Sequence, residues 1–178
     1  MLQNALVSSV KKLQDAKDNG LIIDFAIIGG FAVAAWGYPR ATEDIDFAIS
    51  VNRDRLKEVA AYFKGELKVG DFSDPLIATI NFELEKCLIQ LIVLPKNWEA
   101  IAFEDLQLIN LMGTDLPIIG WEQLVLLKLY AGSDMDLYDV KRIIDTQEPG
   151  QRSLEALKVK SRKLRVSKKF EKALAIKR

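Results

Sequence analysis

AIIGGFAVAAWGYPRATEDIDF, residues 26–47, decides how the rest of this chain is read. An apolar run ends in the pair Gly29-Gly30, and after thirteen intervening residues, Phe31 to Glu43, come the alternating carboxylates Asp44 and Asp46. On a strand, Asp-Ile-Asp points both carboxylates to one face, about 7 Å apart at the backbone, because side chains alternate and each residue rises roughly 3.3 Å. Two like charges that close are costly unless a cation sits between them. The stretch therefore predicts a glycine turn beside a cation-binding carboxylate pair.

What surrounds it is an ordinary globular chain. At 178 residues, 49% apolar and 28% charged, it is long enough for one domain with a sizeable core. Cys87 is the single cysteine, so no internal disulfide forms and a reducing cytoplasm is the expected location. Lys11, Lys12, Asp15 and Asp18 interrupt the apolar positions of the first twenty residues, which predicts neither a signal peptide nor a membrane span. There is no histidine, which excludes imidazole as base, nucleophile or ligand; catalysis would run on carboxylates, lysines, hydroxyls and bound metal. Net charge is zero but uneven: residues 151–178 hold eleven Lys/Arg against Glu155 and Glu171, leaving 25 − 11 = 14 basic and 25 − 2 = 23 acidic residues before them. Such a tail can bind nucleic acid, or fold back on its own acidic body.

Outward from the opening stretch, Leu2, Ala5, Leu6, Val10, Leu13 and Ala16 recur at helical spacing, with Gly20 as the stop. Leu21 to Ile28 reads as a strand, Ala32 to Ala35 as a short helix ended by Gly37-Tyr38-Pro39, and Glu43 to Val51 as the strand carrying the Asp pair. Asn52 can cap a helix over Arg53 to Lys64, ended by Gly65. Leu76 to Phe82 and Cys87 to Leu94 suggest a hairpin turning at Glu83 to Lys86, and Pro95, Asn97 and Trp98 begin a connection. A second hairpin, Leu106 to Met112 with Leu116 to Ile119, turns around Gly113-Thr114-Asp115. Helices over Trp121 to Tyr130 and Asp134 to Asp145 are separated by Gly132-Ser133, and a basic terminal helix from Ser153 carries Leu154, Leu157, Leu164, Phe170 and Leu174. The order predicts an α+β or mixed-sheet α/β domain over 1–150, with residues 151–178 as a basic helix packed on it or extending from it.

These residues carry a resemblance. IIGGFAVAAWGYPRATEDIDF resembles the signature of the nucleotidyltransferase superfamily that includes DNA polymerase β: a hydrophobic strand, a glycine pair, a short helix, then Asp-x-Asp on the next strand. The form Arg-Ala-Thr-x-Asp-Ile-Asp, the Asn97-Trp98 region, and Leu-x-x-x-Lys-Leu-x-Ala-Gly followed by Asp-Leu-x-Asp-Val are similar to nucleotidyltransferase-like proteins related to abortive-infection toxins of type IV toxin–antitoxin systems. The resemblance spans Ala26 to Ile144. It implies a nucleotidyltransferase fold, with a central mixed sheet flanked by helices. It also implies Gly29 and Gly30 against a triphosphate, and Asp44 and Asp46 on Mg²⁺ or Mn²⁺. A second metal would activate an acceptor hydroxyl for attack on the α-phosphorus. Taken singly, Gly29-Gly30 could be a packing turn and the Asp pair a solvated strand face.

Where the superfamily supplies a third carboxylate, the pattern places Gln90 in CLIQLIVL. Gln90 is the strongly polar residue of an otherwise apolar strand, as a site position would be, or it lies on a partly exposed edge. An amide cannot take a proton from a hydroxyl, and losing a general base costs about 10² to 10⁴ in rate. Glu83 or Glu85 could substitute if the hairpin brings one over the site. The resemblance makes Lys128 a triphosphate contact, whereas its apolar helix also suits a lysine snorkelling to water. Asp136 and Asp139 match the nucleotide-binding pattern, yet Ser133 followed by Asp136 is also a capping box. Arg40 and Thr42 orient the nucleotide or fix the turn, and Trp36, Trp98 and Trp121 suit packing better than base stacking. The expectation is an Mg²⁺-dependent transfer of a nucleoside monophosphate from an NTP to a hydroxyl of RNA, protein or a small molecule, as a toxin component. Its alternative is a catalytically impaired module binding RNA or a partner such as an antitoxin protein.

Overall fold

β-branched and aromatic runs alternate with amphipathic segments along this chain, and they assemble into one mixed sheet with helices on both faces. The structure, a computed structural model, describes residues 2–37, 39, 41–71, 74–111 and 113–176; Tyr38, Arg40 and Met112 lie outside them. In chain order come α1 (Leu2–Asp18), β1 (Asp24–Ile27), α2 (Gly29–Ala35), β2 (Asp44–Ser50), a 3₁₀ turn at Arg53–Arg55 running into α3 (Leu56–Phe63), and β3 (Glu66–Val69). Then follow β4 (Ala78–Leu84), β5 (Cys87–Val93), α4 (Lys96–Ala102), β6 (Leu106–Leu111), β7 (Thr114–Ile119), α5 (Trp121–Ala131), α6 (Asp134–Gln147), α7 (Gln151–Lys163) and α8 (Ser167–Leu174).

The seven strands are ordered β3-β4-β5-β2-β1-β7-β6. The pairs β2–β5 and β1–β7 are parallel, and the others antiparallel. Strand alternation sends Ile45, Phe47 and Ile49 of β2, Ile89 and Leu91 of β5, and Ile80 and Phe82 of β4 to one buried face. There Phe63 of α3 stacks on Phe82 with ring centroids 5.1 Å apart, and Lys12 of α1 lies over the same rings. The opposite face carries Asp44, Asp46 and Ser50. Its inner end is covered by α4, where the Ser50 hydroxyl bonds Glu99, and by α5, which is buried nearly all round as a helix apolar on every side must be.

Five features depart from expectation. The residues after Gly65 form an edge strand, β3, whose alternation is too polar to stand out, and α4 occupies what reads as a connection. Helix α3 ends on Lys64 in the left-handed region (φ 55°), so that residue, not Gly65, makes the C-terminal turn. The first hairpin turns on two residues, Glu85 and Lys86, both at positive φ (51° and 62°), the backbone a two-residue hairpin requires although neither residue favours it. The terminal basic helix is two helices. Leu157 and Phe170, each about 1% exposed, would lie about 140° apart on one straight helix. A left-handed turn at Arg165 (φ 60°) breaks the helix and lets both reach the core.

The pair folds back on the body. Lys160 bonds Glu104 at 2.9 Å and holds that carboxyl below its ordinary range, Lys172 pairs Asp134 at 3.1 Å, and Lys169 Nζ donates to the Tyr130 carbonyl at 3.0 Å. Among the described residues, no helix is long and apolar enough to cross a membrane.

Candidate active site

β2 alternates between half-buried and buried positions over Asp44 to Phe47 and is buried from there to Ser50, so Asp44 and Asp46 share the face beneath α5. Its parallel register with β5 sets Asp46 directly beside Gln90 and Asp44 beside Leu88. The antiparallel register of β4 continues both rows, Gln90 to Asn81 and Leu88 to Glu83. Neighbouring strands lie about 4.8 Å apart, so Gln90 occupies the position next to the carboxylate pair that the sequence pattern assigns to it. It is half-buried there.

The glycine pair is required by contact. Gly29 has φ +63°, and a Cβ there would fall 1.9 Å from Asp46 Oδ2, so its backbone lies against that carboxylate. A Cβ on Gly30 would fall 2.8 Å from Thr42 Oγ1. The Thr42 hydroxyl in turn donates to Asp44 Oδ1 at 2.9 Å and lies 3.1 Å from the Asp44 carbonyl. Thr42 thus fixes the Asp44 carboxylate and the turn together. The first N–H groups of α2 have no helical carbonyl to bond, as at any helix start.

From the other side α5 brings Lys128. Its Nζ lies 2.8 Å from Asp136 Oδ1 and 3.0 Å from Asp139 Oδ2, with side chains 11%, 15% and 0% exposed respectively. Lys128 therefore does not snorkel; two carboxylates of α6 hold it. Ser133 caps α6, and Ser133 and Asp136 form a reciprocal capping box. Burial pushes the Asp136 carboxyl up, but the Lys128 hydrogen bond and charge and the Ser133 bonds outweigh it and leave the group below its ordinary value.

Ile28, Gly29, Asp44, Asp46, Gln90 and Lys128 line one cleft of about 240 Å³, with Asp136 at its edge and Leu124 and Leu127 as an apolar wall. Gly30 and Thr42 stand immediately behind it, Asp139 is buried beneath Lys128, and Arg40 lies outside the described residues. The tryptophans stay out. Trp98 stacks on Tyr130 with centroids 4.1 Å apart, Trp36 Nε1 donates to the Ile119 carbonyl at 2.9 Å, and Trp121 packs partly buried against the core. Glu85 is drawn away by Ser8, whose hydroxyl donates to it at 2.7 Å. Sequence reasoning passed over Asn81, the one amide in the apolar run LIATINF, whose Oδ1 is buried beside Gln90 without a hydrogen-bond partner among the described residues.

Among the described residues no group of three or more acidic, histidine or cysteine side chains is placed to hold a metal. The donor set is two carboxylates and an amide. That suits Mg²⁺, which commonly takes one or two carboxylates and completes its shell with substrate phosphates and water.

No protein-family model matches the chain. No curated protein matches it either. Solved structures do. The antibiotic-resistance factor ANT(2″)-Ia in solution aligns over 93% of this chain and 95% of its own at 14% identity, with a TM-score of 0.55. The same protein in complex with adenylyl-2″-tobramycin aligns over 88% and 97% at 14% identity, with a TM-score of 0.54. An antigenic nucleotidyltransferase-like protein from Paracoccidioides brasiliensis aligns over 92% of each chain at 22% identity, with a TM-score of 0.51. At these identities the likeness is one of architecture: the chain has the nucleotidyltransferase fold, a mixed seven-stranded sheet flanked by helices.

Proposed function

We propose that this protein is an Mg²⁺-dependent nucleotidyltransferase that moves a nucleoside monophosphate from an NTP to a hydroxyl of RNA, protein or a small molecule. The observation that carries the reading is convergence. Gly29, Asp44, Asp46, Gln90 and Lys128, spread over a hundred residues of chain, line one cleft. Asp44, Asp46 and the Gln90 amide oxygen would hold the metal, which when bound supplies charge neutralisation at the phosphates and activation of the acceptor hydroxyl. The glycine turn offers backbone N–H groups to phosphate oxygens without a side chain in the way. Lys128 adds a cation at the far wall, already positioned by Asp136 and Asp139. With only two carboxylates at hand, metal and triphosphate complete each other's binding, so neither is held tightly alone.

The test is incubation with each α-labelled NTP, Mg²⁺ or Mn²⁺, and RNA, protein and metabolite fractions of a lysate. Transfer by wild type and none by Asp44→Ala/Asp46→Ala supports the enzyme. Gln90 favours a second reading, a module that binds NTP but transfers poorly; no transfer by wild type together with transfer by Gln90→Asp supports it. In that reading residues 1–150 form the nucleotide-binding unit. The outward Arg152, Arg162, Lys163 and Arg165 of the tail would then face RNA or a partner protein. A toxin–antitoxin role and a cytoplasmic location rest on the resemblance of residues 40–46 and 124–140 and on the lone Cys87. Growth arrest on expression, relieved by a neighbouring gene's product, is the test of that role.

A further inference from the structure

Transfer to a hydroxyl needs a group to take its proton, and the amide of Gln90 cannot. The carboxylates around the cleft can be sorted by what already holds them. Asp44 and Asp46 share the metal position. Asp136 and Asp139 are bound to Lys128 at 2.8 and 3.0 Å, and Asp134 is paired with Lys172 at 3.1 Å. Glu85 accepts the Ser8 hydroxyl at 2.7 Å, and Glu43 lies in the bend before β2, one residue out of step with the Asp pair. Glu66 sits at the end of the Asp46–Gln90–Asn81 row, three strands from Asp46.

That leaves Glu83. It is exposed, makes no hydrogen bond or ion pair among the described residues, and stands in the row Asp44–Leu88–Glu83 on the same sheet face as the site. Two strand spacings, about 10 Å at the backbone, separate it from Asp44. Between them lies Leu88, 42% exposed, whereas Gln90 and Ile92, the next residues of β5 on that face, are half-buried, so the face opens toward Leu88. An acceptor resting on Leu88 would have the metal position on one side and a free carboxylate on the other.

The geometry points to Glu83 as the general base of the reaction, with the acceptor hydroxyl bound over Leu88; this rests on the nucleotidyl-transfer reading above. Glu83 Oε takes the hydroxyl proton as the acceptor oxygen bonds the α-phosphorus. The bond from that phosphorus to the bridging oxygen of the leaving group breaks, and pyrophosphate departs with the electron pair. The carboxylic acid then returns its proton to solvent. Lys128 lines the cleft from α5, whereas Glu83 and Leu88 stand beside it on the β4–β5 hairpin, so the triphosphate would lie under α5 and the acceptor under the hairpin.

The experiment compares wild type, Glu83→Gln and Glu83→Gln/Gln90→Asp. Each is given α-labelled ATP, CTP, GTP and UTP with Mg²⁺ and the RNA, protein and metabolite fractions of a lysate. Affinity for Mg²⁺ with the non-reactive α,β-methylene NTP is measured in parallel. Loss of the base lowers kcat about 10²- to 10⁴-fold. In Glu83→Gln, acceptor KM and analogue affinity stay within twofold, since an exposed isosteric change leaves the fold intact. In the double variant, a carboxylate one strand nearer the metal recovers at least tenfold. Transfer by Glu83→Gln within threefold of wild type overturns the assignment. So does a rise in acceptor KM at constant kcat, which would make Glu83 an anchor rather than a base. Wild type that binds the analogue but labels nothing overturns the transfer reading itself, and the role of Glu83 falls with it.

Discussion

Lys128→Met removes a cation that two inward carboxylates share. Lys128 Nζ sits 2.8 Å from Asp136 and 3.0 Å from Asp139, and the Asp139 side chain is wholly buried. Methionine keeps the stem's volume but takes away the charge that both carboxylates contact. Breaking a buried pair by removing one partner costs about 3–5 kcal/mol. The same size follows from the escape route: protonating one ordinary carboxyl at neutral pH means moving its pKa by about three units, at about 1.4 kcal/mol each. For a domain of this length each kcal/mol lowers Tm by about 2–4 °C, so the fall is on the order of 10 °C. Thermal and urea unfolding followed by circular dichroism at pH 7 measure it. Because the penalty is that of carboxylates deprived of the Lys128 charge, Lys128→Met/Asp136→Asn/Asp139→Asn recovers more than half of the loss. A loss under about 1 kcal/mol, or no recovery in the triple variant, would refute the claim that Lys128 is a charge-compensating element of the site wall.

Other expectations follow from contacts on the same face. Gly29→Ala places a methyl on Asp46 Oδ2 and forces a left-handed alanine worth about 1–2 kcal/mol of strain; Mn²⁺–NTP binding read by electron paramagnetic resonance falls at least tenfold, while Gly113→Ala, whose Cβ would meet nothing within 4 Å, leaves it unchanged. Thr42→Val deletes the hydroxyl that holds Asp44, costing about 1 kcal/mol of stability and a several-fold loss of metal-dependent NTP affinity by calorimetry. Asp136 titrates below its unfolded value, so its stabilisation is complete above about pH 4 and is lost as pH falls through the lower folded value. Asp136→Asn accordingly flattens that part of the acid limb in urea titrations run between about pH 2 and 7. Phe170→Ala empties a buried site between α8 and the body and destabilises by about 3–5 kcal/mol, with a matching shift in urea midpoint.

The site was legible in the sequence where the chemistry is local. Gly29-Gly30 and Asp44-Ile45-Asp46 lie close along the chain, and strand alternation alone puts both carboxylates on one face. Gln90 was legible because an amide among Leu, Ile and Val stands out, and the parallel register places it beside Asp46. Lys128 was not settled by its neighbours. Whether a lysine on an apolar helix reaches water depends on what α6 presents to it, and the Asp136 and Asp139 contacts arise only when the two helices pack. The same holds for Glu83, whose place in a row with Asp44 is set by the hairpin register across two strands.

The fold divides likewise. The strands with strong periodicity were readable to within two or three residues. β3 was missed because Glu66 and Lys68 make an edge strand look like a loop, and its pairing with β4 supplies the order its own side chains do not. The turn at Glu85-Lys86 carries no glycine or asparagine, so nothing local marks its positive φ values. The split of the terminal basic segment is a packing decision: one helix could not bury both Leu157 and Phe170.

The central claim is that Asp44 and Asp46, with the glycine turn against them, form a metal–triphosphate site. Calorimetric titration of wild type and Asp44→Ala/Asp46→Ala with NTP, each with and without Mg²⁺, tests it most directly. The account predicts saturable NTP binding by wild type that needs Mg²⁺ and disappears in the double variant. Binding that is indifferent to Mg²⁺, or that survives the loss of both aspartates, would contradict it.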